Sequence, residues 1–153
     1  MRKFLVSAAL IALAGSAMAQ DLRATRVKPE ELKWSAPPFL AKGLQSAVVL
    51  GDPTKAGEIV VVRVKFPPNF QLAPHTHPYA ETVTVLSGSV GFGIGVKFDK
   101  TKGELVKAGA LNAVPAKQPH FVWTEGEEAL VEIHYIGPSG IDYVNPADDP
   151  RKK

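Results

Sequence analysis

The chain has 153 residues, with 18 basic and 15 acidic side chains and a formal net charge of +3. That length suits one domain, and so small a charge gives no basic stripe for nucleic acid. Cysteine is absent, which excludes a disulfide framework and a thiol nucleophile and leaves stability to the apolar core.

The first nineteen residues stand apart. Arg2 and Lys3 form a basic start, Phe4 to Ala14 is an apolar run, and Gly15 to Ala19 supplies small residues at an Ala-x-Ala site. This is the pattern of a secretory signal peptide over residues 1–19, with Gln20 as the first mature residue. The apolar run falls short of the ~20 residues that span a bilayer. A periplasmic or secreted protein with no membrane span after cleavage is therefore expected. Losing Arg2 and Lys3 leaves 16 basic residues against 15 acidic ones. About 134 residues remain, enough for a compact barrel or sandwich.

Residues 20–43 are rich in proline and charge and read as an N-terminal arm. Trp34 either pins this arm to the domain or lines a pocket, and the anchoring role is the commoner one for tryptophan. From Ser46 the pattern becomes β. Ala47 to Leu50 is a short apolar run stopped by Gly51-Asp52-Pro53. In Glu58 to Phe66, Val60, Val62, Val64 and Phe66 share one face, and Arg63 and Lys65 fall on the other. Pro67-Pro68-Asn69 ends that strand. Ala80 to Leu86 and Val90 to Val96 are two more, split by Ser87-Gly88.

In Val90 to Val96 the apolar residues alternate with Gly91, Gly93 and Gly95. A bare face of this kind marks close approach of a backbone or ligand, or else a tightly curved strand. Glu104 to Lys107, Ala110 to Val114, His120 to Thr124, Ala129 to Ile136 and Ile141 to Val144 complete the strands, before a charged tail over 146–153. Many short strands at regular spacing, with no amphipathic helix, predict an antiparallel sandwich or barrel.

The chemistry concentrates in one stretch, PHTHPYAETVTVLSG. His75, His77 and Glu81 share strand parity, and His120 follows from a distant strand that only a closed sheet would bring near. Three imidazoles and a carboxylate suit Fe(II), Mn(II), Co(II), Ni(II), Cu(II) or Zn(II) in preference to Ca(II) or Mg(II). A His-x-His pair alone is weak evidence.

The spacing His75-x-His77-x3-Glu81-x6-Gly88 resembles the first motif of the cupin superfamily, and Gly109-x5-Pro115-x4-His120 resembles the second. The resemblance spans about residues 44–144 and looks like that of a small exported single-domain cupin. It implies an all-β, conical antiparallel barrel (a jelly roll or double-stranded β-helix) over 44–145, with His75, His77, Glu81 and His120 as metal ligands. It also implies dimerisation through strand or arm exchange. Two positions depart from the motif. Lys117 stands where glycine is usual, which predicts a different turn before His120, and Thr124 stands where asparagine is frequent.

Four protein ligands leave about two octahedral positions for water, O2 or a bidentate substrate. The expected function is a metal-dependent, dioxygenase-like oxidoreductase acting on a small organic molecule, with Glu81 relaying a proton. A non-catalytic binding or sensing protein and a metal-free structural barrel are the competing readings. His134 is a second catalytic candidate if it faces inward with Glu132. Solvated polar faces are commoner, which favours the outside for both. Tyr79, Phe92, Phe121 and Trp123 are candidates for the pocket wall, although Phe121 and Trp123 have the opposite parity to His120.

Overall fold

The computed structural model describes residues 23–152, so the leader and its cleavage site lie outside the described residues. The described residues form ten strands: β1 (Gln45–Leu50), β2 (Ile59–Phe66), β3 (Gln71–Thr76), β4 (Glu81–Ser87), β5 (Ser89–Ile94), β6 (Gly103–Lys107), β7 (Leu111–Val114), β8 (His120–Trp123), β9 (Ala129–Ile136) and β10 (Asp142–Tyr143). They form two five-stranded sheets, ordered β1-β2-β9-β4-β7 and β10-β3-β8-β5-β6. The strand pairings within both are antiparallel. The fold is an all-β barrel of two facing sheets. Among the described residues no helix is long and apolar enough to cross a membrane.

Alternation along the strands sets which side faces in. On β2, Val60, Val64 and Phe66 are buried, while Arg63 points outward to pair with Glu132 of β9 at 2.8 Å. On β9, Val131 and Tyr135 are buried and His134 is exposed. The apolar face of β9 thus looks inward. Val64, Phe66, Leu72, Val83, Val85, Val90, Val122 and Val131 form one continuous core between the sheets.

β3 is the strand that the sequence pattern conceals. Pro74 cannot donate to a ladder, and Pro67-Pro68-Asn69 lies just before the strand. The structure accommodates Pro74 at a register shift against β8, between Leu72 and His75, as bulges commonly do. The Pro74 carbonyl still accepts from the Val144 N–H at 2.9 Å.

The bare face of β5 has a different cause from either one expected. A Cβ on Gly91 would strike the Trp123 ring, and one on Gly93 would strike the Phe121 ring. Both aromatics belong to the neighbouring strand β8, where they pair across from these glycines. They lie on the face opposite His120, outside the barrel interior, yet they are buried because Phe98 packs on them at 5.0 and 6.2 Å. Gly91→Ala and Gly93→Ala are therefore expected to lower stability by about 1–3 kcal/mol through overpacking. Gly126→Ala, where the added carbon meets nothing within 4 Å, is the matched control; denaturant melts that place all three variants at wild-type stability would refute this packing account.

Candidate metal centre

The site forms where the chain crosses between the sheets. β3 ends at Thr76, and β4 begins in the opposite sheet at Glu81. His75 faces inward near the end of β3, and His120 is its direct register partner on β8. His77 stands in the crossing, and Glu81 is the first residue of β4. The parity shared by His75, His77 and Glu81 does not reflect one continuous strand. His75 and His120 meet as cross-strand neighbours in one sheet, and barrel closure adds Glu81 from the other.

The three imidazoles offer nitrogens that all lie within 4.8 Å of one another. Their orientation is set by backbone carbonyls. His75 Nδ1 lies 2.8 Å from the Ala73 oxygen, His77 Nδ1 2.6 Å from the Gly140 oxygen, and His120 Nδ1 3.0 Å from the Gln118 oxygen. A carbonyl only accepts, so each Nδ1 carries the proton and each Nε2 keeps a free lone pair. One oxygen of Glu81 lies 3.4 Å from His120 Nε2 and 3.7 Å from His77 Nε2.

Burial reinforces this state. It pushes the His75 pKa well below the ordinary value, and the neighbouring His120 and His77 add to the effect. Burial also lowers that of His77, against the opposing charge of Glu81. Neutral imidazoles with carbonyl-bound Nδ1 are the form that coordinates a metal. The donor set fits a divalent transition ion, held by His75, His77 and His120 with Glu81 beside them.

The departures from the usual second motif are absorbed locally. Lys117 takes a positive φ of 61°, the left-handed conformation that a glycine adopts freely. Its N–H donates to the His77 carbonyl at 2.8 Å, which ties the two motifs together. Thr124 is buried, accepting from the Phe70 N–H at 3.0 Å and donating to the Pro67 carbonyl at 2.6 Å.

Two spaces meet at the cluster. Inside the barrel is a cavity of ≈ 70 Å³ lined by the three histidines, Glu81 and apolar residues such as Val90 and Phe92. Phe92 stacks on His120 at 5.3 Å. Outward lies a cleft of ≈ 610 Å³ that also touches His77 and Glu81. Tyr79 forms part of its wall, stacked between His77 at 5.2 Å and Tyr135 at 4.1 Å. Burial, helped by the charge of Glu81, raises the pKa of both tyrosines, so their hydroxyls stay protonated near neutrality.

The arm closes the other side of the cleft with Leu32, Phe39 and Leu40. It is held by reciprocal backbone bonds between Ser35 and Ser46. Trp34 turns away from the cleft, under Lys65 at 4.3 Å, and serves as an anchor.

His134 does not join the site. Its side chain is 47% exposed on the outer face and bonds to Glu132 at 3.1 Å, so the inward orientation that a catalytic role requires is not found. Two contributors escape a search for polar side chains. Tyr135 shares its face with Val131 and Ile133, a clue visible in the alternation of β9. The Gly140 carbonyl leaves no trace in the sequence, because any residue supplies a carbonyl.

A family model described as Cupin matches residues 45–142. Among solved structures, the chain is similar to the polyketide cyclase RemF from Streptomyces resistomycificus, with 22% identity and a TM-score of 0.68 over 85% of this chain and 92% of that one. It is similar to an RmlC-like cupin from Shewanella frigidimarina, with 14% identity and a TM-score of 0.59 over 75% and 93% of the two chains. A recombinant oxalate oxidase in complex with glycolate aligns with 24% identity and a TM-score of 0.56, over 72% of this chain and 59% of that one. At these identities the likeness carries the fold. A search of curated protein sequences finds no significant match.

Two outcomes follow from the geometry. His75→Ala, His77→Ala and His120→Ala should each weaken metal binding by at least the 10–100-fold that loss of an outer-shell partner typically costs; full metal content retained by all three in elemental analysis would dismiss the centre. The second concerns pH in the metal-free protein. His75 and His77 are held neutral in the fold, whereas the unfolded chain takes up protons near pH ~6.5. Their contribution is present above that value and is lost as pH falls toward the lower native pKa values. The melting temperature should drop between about pH 7 and pH 5, and less steeply in His75→Leu; parallel curves for the two proteins would contradict the assignment.

Proposed function

The chain belongs to the cupin family, and we propose that it is an exported, metal-dependent enzyme acting on an apolar small organic molecule, an oxidoreductase of the dioxygenase type. One observation carries this reading: a cluster of three imidazoles and a carboxylate reaches, through His77 and Glu81, a largely apolar cleft of ≈ 610 Å³. That volume is within the usual range for small-molecule sites.

His75, His77 and His120, with Glu81, would hold the metal. When bound, such an ion supplies Lewis acidity or one-electron redox chemistry to a substrate oxygen. The remaining work falls to the chain. Val48, Val62, Ile133 and the arm's Leu32 and Phe39 exclude water and hold an apolar body in the cleft. The protonated hydroxyls of Tyr79 and Tyr135 can donate hydrogen bonds to a substrate oxygen at the metal end. Glu81, within 3.4 Å of His120 Nε2, is placed to accept or return a proton there.

The test uses protein recovered from the periplasm or medium, and a mature N-terminus at Gln20 supports the export. The protein is loaded anaerobically with Fe(II) and then given O2 with β-diketones, flavonols or oxalate. Oxygen uptake matched by product, and abolished in His77→Ala, is the expected result. Product without oxygen uptake would replace the redox reading with a Lewis-acid reaction. Tight ligand binding with no turnover under any metal would make the protein a binding or sensing cupin instead.

A further inference from the structure

The C-terminal segment through Arg151, which reads in sequence as a charged tail, reaches back to the loop beside the histidine cluster. Arg151 forks onto Asp149, with Nε 2.8 Å from Oδ1 and Nη2 2.9 Å from Oδ2. Asp149 is only 5% exposed and also accepts from the Arg151 N–H at 3.0 Å. The same Nη2 donates to the Ile141 carbonyl at 3.0 Å. Ile141 is buried in the core and directly follows Gly140, whose carbonyl receives the His77 Nδ1 proton. Beyond it, β10 pairs with β3 and sets Tyr143 opposite His75. The segment from Gly140 to Arg151 therefore supplies the carbonyl that holds the His77 ring and pairs with the strand that carries His75.

We propose that the Asp149–Arg151 clasp is a positioning device for the metal site, and that metal binding and docking of the C-terminal segment are thermodynamically coupled. A planar guanidinium held by a buried carboxylate has one preferred placement. That placement fixes the Ile141 carbonyl and, through the adjoining peptide, the Gly140 carbonyl. The Gly140 carbonyl in turn fixes the ring orientation and tautomer of His77. Coupling of this kind is reciprocal. If the clasp raises metal affinity, bound metal must tighten the clasp by the same factor. The inference rests on the metal reading above.

The test uses the full chain and Zn(II). Arg151→Ala should raise the Zn(II) dissociation constant about tenfold, the low end of what outer-shell partners contribute. Arg151→Lys keeps the charge without the fork and should fall between. Arg63→Ala, which breaks the Glu132 pair on the outer face, should leave the affinity unchanged. In the wild type, Zn(II) should slow amide exchange across residues 140–151, a measurement that does not depend on any variant folding. A clasp that merely stabilised the domain would lower the melting temperature and leave both the affinity and the zinc-dependent protection untouched, and that result overturns the proposal. Should the wild type bind no Zn(II), the metal reading falls. The positioning role is then decided by ¹⁵N shifts of the His77 ring, which must report a changed tautomer population in Arg151→Ala for the clasp to survive.

Discussion

Three imidazoles are gathered within 4.8 Å of one another in a largely apolar interior, and such a cluster is tolerable only if it stays neutral. A proton on any one would be desolvated and would face the other two rings. The structure meets this constraint with three backbone carbonyls, at Ala73, Gly140 and Gln118, each taking an Nδ1 proton. Much of the surrounding architecture serves to place these carbonyls. Ala73 lies in the bulged stretch of β3, Gln118 in the turn that Lys117 closes at positive φ, and Gly140 in the loop secured by the C-terminal clasp.

The same constraint accounts for the division of space around the site. On one side, packed apolar residues leave the small cavity of ≈ 70 Å³ and keep water from the rings. On the other, Glu81, Tyr79 and Tyr135 bring polar atoms to the end of a larger apolar cleft. The arm lies across that cleft, held by Ser35 and by Trp34 beneath Lys65, so part of the cleft wall comes from a segment outside the barrel. The histidine cluster and the outer wall of the cleft are thus built from different parts of the chain, as is common where a rigid scaffold carries variable loops.

Several features were legible before any coordinates. Alternation along β2 and β9 sorted their residues into two faces, because a half-buried strand repeats every two residues, and for β9 it favoured the apolar face as the inward one. The clustering of His75, His77 and Glu81, with the two motif spacings, singled out the histidines that the structure brings together. Other features were hidden for definite reasons. Pro74 disguised β3, since a residue that cannot donate is expected at a strand's end or edge. The glycines of β5 looked like room for a backbone or a ligand, whereas the space is filled by Phe121 and Trp123 from the adjacent strand. Lys117 implied a changed turn, and nothing in the sequence announced that the lysine adopts the left-handed conformation favoured by glycine.

The sequence by itself determined the all-β class, the alternation along the main strands and the histidines that cluster, all of which depend on residue type, motif spacing and local periodicity. Only the tertiary structure decided that His75 and His120 are register partners, that His134 faces solvent, and that the Gly140 carbonyl meets the His77 ring. These outcomes depend on strand pairing and on which carbonyl lies near which ring. Backbone carbonyls are the same at every position, so their placement is set by the fold alone and cannot be read from the order of the side chains.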